Sequence, residues 1–105
     1  ITCTPGVYGE EEQNGLDCWL SREKTEGMRV RPRQTGDTLK LPGRPGKTLK
    51  KWMVEEKIPR CDRDCLPVLA VGDRVCAVAR LGPDAEFLPR VGEWAWHIRF
   101  VPLPH

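Results

Sequence analysis

No apolar run in this chain of 105 residues approaches the roughly 18 that a membrane-crossing helix needs, so no helical span is expected. No basic segment followed by an apolar stretch opens the chain, so no secretory signal is visible. The chain starts at Ile1 rather than at an initiator Met, which predicts an excised domain or a processed product. Cysteines are few and odd in number, five at irregular spacing. A secreted disulfide framework more naturally shows an even count. Cys61 and Cys65 stand four apart, but no second Cys/His pair completes a zinc site. The expectation is reduced, partly buried thiols in a cytoplasmic protein. No paired carboxylates and no nucleophile–base set stand out, so no catalytic residue and no metal ligand is assigned.

What is present is charge, unevenly placed. From Met28 to Asp64 eleven Lys/Arg stand against five Asp/Glu, a net +6. The rest of the chain holds six against ten, a net −4. A basic segment on an otherwise acidic chain is the footprint of a polyanion binder. A solvated charged face without a partner has the same composition. The length suits one domain with its own core.

Residues 1–27 read as a lead-in segment without chemistry. Ile1–Thr4 suggests a short strand, Thr4-Pro5-Gly6 a turn, and Glu10–Glu12 with Asn14-Gly15 an exposed acidic loop. Cys18-Trp19-Leu20 suggests a strand or a buried corner. Met28–Arg33 then alternates apolar and basic residues, the period of a half-buried strand. That places Met28, Val30 and Pro32 inward and Arg29, Arg31 and Arg33 on the other side. Three guanidiniums in a row require an anion across them, either carboxylates of a neighbouring strand or phosphates. Gln34–Asp37 closes the strand with a turn.

Leu41–Gly46 is a loop by composition, and Thr48 is a good cap for a short helix. Leu49, Trp52 and Met53 form its apolar stripe. Lys47, Lys50 and Lys51 crowd the start of that helix and Glu55 and Glu56 its end, both against the helix dipole. Such a helix is tolerated where its start and its lysines face a phosphate, since free N–H groups there bind anions. Ile58-Pro59 ends the helix, and Arg60–Cys65 is a charged turn or short helical piece. There Arg63 is either ion-paired locally or turned to a ligand.

Leu66–Val71 and Arg74–Leu81 are apolar runs joined by Gly72-Asp73, a hairpin signal. Their near-continuous hydrophobicity predicts a sheet covered on both faces. Gly82-Pro83-Asp84 breaks the chain. Glu93–Phe100 is a closing strand with Trp94, Trp96, Ile98 and Phe100 on one face, core-forming more readily than base-stacking, and His97 and Arg99 on the other.

Two short patterns fail. Gly46-Lys47-Thr48 invites a phosphate loop, but the required glycine at 41 is Leu41, and Pro42 and Pro45 lack N–H donors. Gly43-Arg44-Pro45-Gly46 fits the GXXG loop of KH domains, which joins two helices, and no helical pattern precedes Gly43.

A longer ordered pattern survives. Arg29–Arg33, Gly36-Asp37, Lys47-x-Leu49-Lys50-Lys51, Ile58-Pro59, Arg63, Pro67 and the Gly72-Asp73 hairpin resemble the C-terminal domain of tRNA(Ile)-lysidine synthetases. The likeness spans Met28 to Leu81, about half the chain, and departs from the usual pattern at Cys61 and Cys65 around Arg63. It implies a small α+β unit, a mostly antiparallel or mixed sheet or sandwich with one short basic helix. The expected layout is one domain over 1–105, with lead-in 1–27, core 28–81, and a loop and closing strand over 82–105. The resemblance implies a non-catalytic domain that holds tRNA(Ile) on its acceptor-stem side. It further implies a parent whose N-terminal catalytic domain converts the wobble cytidine to lysidine with ATP, Mg²⁺ and an SGGxDS loop, a motif this sequence lacks. By position, the RNA-binding residues implied are Arg29, Arg31, Arg33, Lys47, Lys50, Lys51 and Arg63. The alternative is a protein–protein or intersubunit docking module without RNA contact, including a homodimer.

Overall fold

The computed structural model describes residues 2–9 and 17–100, and the acidic loop read at Glu10–Glu12 and Asn14-Gly15 lies outside them. Three layers are built from two antiparallel sheets and a helix. The first sheet joins β1 (Thr2–Val7), β2 (Asp17–Ser21) and β9 (Trp94–Arg99) in the order β1-β9-β2. The lead-in is thus part of the fold: it supplies both edge strands around the closing one. The turn expected at Thr4-Pro5-Gly6 is absent, because β1 runs straight through it, with Pro5 opposite Trp96. Proline is tolerated there because β1 is an edge.

The second sheet has the order β3-β6-β7-β8, from β3 (Arg29–Arg31), β6 (Val68–Val71), β7 (Arg74–Val78) and β8 (Gly82–Pro83). Gly72 turns the β6–β7 hairpin at φ 57°, the left-handed conformation that glycine adopts without a Cβ clash. The pairing Ala70↔Val75 followed by Leu69↔Ala77 leaves Cys76 as a bulge residue. The bulge puts Cys76 and Ala77 on one face and Val75 and Val78 on the other.

This sheet is covered on both faces, as its continuous hydrophobicity requires. On one side Leu69, Cys76 and Ala77 pack with Cys18, Leu20, Ile98 and Phe100 of the first sheet region. On the other, Val68, Ala70, Val75 and Val78 pack with Leu49, Trp52 and Met53 of α1 (Leu49–Glu55). A two-stranded ladder, β4 (Thr38–Leu39) with β5 (Lys47–Thr48), carries the glycine-rich loop between its strands and leads into α1. Gly82-Pro83 is not a plain break, since it pairs with β7. Asp84 behind it is buried and accepts hydrogen bonds from the N–H groups of Lys40 (3.0 Å) and Glu86 (2.9 Å).

The inward and outward assignment around β3 holds in part: Met28 packs on the core and Arg29 is exposed as expected, but Val30 and Pro32, expected inward, are exposed and Arg31 is covered. With cores on both faces, neither set of side chains faces only water. Val30, at the sheet's edge, is 57% exposed, while Arg31 shares its face with Val68 and is largely covered. The closing strand likewise loses one core member: Trp96 packs on the core but Trp94 is 59% exposed. His97 stacks on Trp19 with ring centroids 4.5 Å apart and pairs with Asp17, a structural arrangement.

Candidate nucleic-acid interface

Thr48 caps α1 as expected, its hydroxyl accepting from the Lys51 N–H at 3.3 Å. The start of the helix is not left open for an anion, however. The Leu49 N–H donates to the Asp37 carbonyl at 2.9 Å, and the helix is only seven residues long. The reversed charges have an internal reason. Lys47 Nζ donates to both carboxylate oxygens of Glu55 at 2.7 Å, and Arg44 reaches Glu56 at 3.3 Å. The Arg44 guanidinium and the Lys47 ammonium also lie 4.5 and 4.7 Å from the Trp52 ring centroid. Glycine-rich loop and helix are therefore clamped together by cations that stack on an aromatic face. The Lys47 contact holds the Glu55 carboxyl below its usual range.

Gly43–Thr48 does not fit a nucleotide. The lysine and threonine that a phosphate loop would aim at a ligand serve Glu55 and the helix cap. Among the described residues no three His, Cys, Asp or Glu side chains gather to hold a metal ion.

A cationic cleft opens on the other side of the helix start. Arg33, Lys50, Arg60 and Arg63 line it, together with Asp37 and Asp64, around a volume of about 660 Å³. The four come from three separate segments. Lys50 projects from the first turn of α1. Arg60 opens a 3₁₀ turn (Arg60–Asp62) and Arg63 follows it; residues three apart eclipse in such a turn, so both guanidiniums reach one side. The Arg63 Nε donates to the Ile58 carbonyl at 3.0 Å, so local pairing with Asp62 or Asp64 is not what holds it. Asp64 instead takes Arg33 at 2.8 Å, and Asp62 faces Arg80 at 3.6 Å.

Beneath the cleft, Arg31 forms a two-point ion pair with Asp37, which also accepts the Gln34 N–H at 2.9 Å. Burial pushes the Asp37 carboxyl up, but these donors outweigh it and hold it below the usual range. The same pairing raises the Arg31 guanidinium.

Of the seven cations expected to act together, the fold brings Arg33, Lys50 and Arg63 to this cleft. Arg31 serves as its strut, Lys47 is clamped behind the helix, and Lys51 and Arg29 are exposed without an ion pair among the described residues. Arg60 was missed. Its spacing of three from Arg63, in a turn opened by Pro59, was the signal available.

The fold is a small α+β unit of antiparallel sheets and one short basic helix, with Arg33, Lys50, Arg60 and Arg63 lining a cleft beside the start of that helix. Residues 28–100 match the model of the TilS substrate C-terminal domain, and the chain belongs to that family. It is 37% identical over 102 residues to a tRNA(Ile)-lysidine synthase of Coxiella burnetii, covering 93% of this chain and 22% of that protein. A tRNA(Ile)-lysidine synthase of Symbiobacterium thermophilum is 40% identical over 78 residues, covering 72% of this chain and 16% of that protein. The chain thus spans about a fifth of the length of these relatives. The crystal structure of a TILS C-terminal domain superposes with a TM-score of 0.79 over 96% of this chain and 83% of that one, at 24% identity, a likeness of fold.

Proposed function

We propose that this chain is the tRNA-binding part of a tRNA(Ile)-lysidine synthase, holding the acceptor-stem side of tRNA(Ile) while the chemistry proceeds elsewhere in the parent enzyme. The carrying observation is that Arg33, Lys50, Arg60 and Arg63 reach one cleft from three separate segments. Membership of a family whose relatives carry that enzyme's name supports the same reading. The mechanism is a grip. Guanidiniums and an ammonium neutralise phosphates and release counterions, which supplies affinity without reading bases. An A-form stem is then recognised by shape and backbone. On this reading ATP and Mg²⁺ belong to the catalytic domain, the conversion of cytidine to lysidine takes place there, and the enzyme works in the cytoplasm.

A titration of the chain with an acceptor-stem minihelix tests this. About four phosphate contacts predict a slope of log K against log[salt] near −3 to −4. Absence of binding at low salt, together with salt-insensitive self-association, would move the function to a docking module.

A further inference from the structure

Trp94 projects from β9 with more than half of its surface in water, an expensive place for the largest side chain. It does so at the mouth of a second cleft of about 800 Å³, lined by Cys3, Arg22, Glu23, Glu26, Trp94 and Trp96 among others. The back of this cleft is fixed: Trp96 packs on the core and carries the Arg22 guanidinium 5.5 Å from its ring centroid. Glu93, also on the wall, is engaged by the Ser21 hydroxyl (2.7 Å) and the Arg90 N–H (2.9 Å). Glu23 and Glu26 are exposed and make no ion pair among the described residues.

These groups select a ligand. Free carboxylates repel a phosphate but accept hydrogen bonds from exocyclic amino groups, as on cytosine N4. An exposed indole offers its face to a base. The volume lies within the range that encloses a small ligand. Met28 on this cleft and Arg33 on the cationic one are five residues apart, at most about 17 Å of extended chain, so one RNA can touch both.

We propose that the Trp94–Trp96 cleft takes an unpaired, amino-bearing nucleobase of the RNA, stacked on Trp94, with Glu23 and Glu26 accepting from its amino group. This rests on the RNA-binding reading above and adds a base-recognising site to a phosphate grip.

The test compares three probes by tryptophan fluorescence and anisotropy: a blunt minihelix, the same minihelix with an unpaired 3′ tetranucleotide, and that tetranucleotide alone. The extension is expected to tighten binding about tenfold. Trp94→Ala removes that gain and leaves the blunt duplex unchanged, with an unaltered circular dichroism spectrum. The double change Glu23→Gln and Glu26→Gln narrows the preference for adenine or cytosine over uracil in the extension. An extension without effect, or a gain that survives Trp94→Ala, overturns the proposal. So does a Trp94→Ala chain with unchanged RNA affinity but altered self-association by light scattering, which assigns the face to protein. If the tetranucleotide quenches Trp94 while the blunt duplex does not bind, this site stands and the phosphate-grip reading falls.

Discussion

Arg31 and Asp37 face each other in parallel, Nη1 to Oδ2 at 2.8 Å and Nη2 to Oδ1 at 2.9 Å, with 15% and 6% of their side chains exposed. The pair ties β3 to the turn that precedes β4. Through the Asp37 carbonyl, which accepts the Leu49 N–H, the same residue holds the start of α1. Removing the carboxylate leaves a covered guanidinium unpaired, which is the costly way to break such a pair. Asp37→Ala should therefore lower stability by about 3 kcal/mol in urea unfolding. Replacing both partners, Arg31→Met with Asp37→Leu, leaves neither charge covered and should cost less than Asp37→Ala alone.

The pH dependence of this contribution follows from its sign. The folded Asp37 carboxyl lies below its ordinary value, so its contribution is complete above the unfolded pKa of about 4 and is lost as pH falls through the lower, folded one. The stability difference between the wild type and Asp37→Asn should shrink below about pH 4, followed by urea midpoints from pH 7 to 2. Asp84, raised by burial, has the opposite sign: its contribution is present at low pH and is lost as pH rises through its folded value.

Lys47 and Lys50 lie three residues apart and are expected to behave differently. Lys50→Ala, Arg60→Ala or Arg63→Ala should each weaken minihelix binding and reduce the salt slope by about one. Lys47→Ala should instead lose its contacts to Glu55 and Trp52, costing about 0.5 kcal/mol or less of stability because the pair is exposed to water. Its effect on RNA affinity should be smaller than that of Lys50→Ala. Equal losses in a side-by-side titration would place Lys47 among the phosphate contacts.

Thiol chemistry should divide the cysteines two to three. Burial pushes the Cys18 thiol up to about 12 and the Cys76 thiol up to about 11, whereas Cys3, Cys61 and Cys65 are exposed. A thiol reagent should modify three cysteines in the native chain and all five after unfolding. Cys3 should be the slowest of the three, because partial burial raises its thiol. Labelling followed by mass spectrometry of the fragments reads this directly.

Local signals were legible wherever a few adjacent residues decide the outcome. Thr48 capped the helix, Leu49, Trp52 and Met53 became its buried stripe, and Gly72-Asp73 turned the hairpin. The apolar runs on either side of that turn also announced a sheet covered on both faces. Phase against solvent was not legible. Arg31 is covered and Val30 exposed because β3 lies at the edge of a sheet with two cores, and nothing within the six residues 28–33 states that. Trp94 escaped the core for a related reason: its cross-strand partner Val7 lies on edge strand β1 and is itself exposed.

By itself, then, the sequence determined the helix, β3, the β6–β7 hairpin and the closing strand, and that positive charge gathers between Met28 and Asp64, but not the short strands β4, β5 and β8 or the run of β1 through Pro5. Side-chain period, caps and turn glycines act over a few residues and need no distant partner. Only the tertiary structure decided which charges are spent internally and which face outward. The pairs Arg31–Asp37, Arg33–Asp64 and Lys47–Glu55 span 6, 31 and 8 residues, and their formation depends on how β3, the turn after Pro59 and the clamped loop come together. The same folding brought Arg33, Lys50, Arg60 and Arg63 into one cleft. A charge count cannot separate a paired cation from a free one, because pairing is a matter of distance in space.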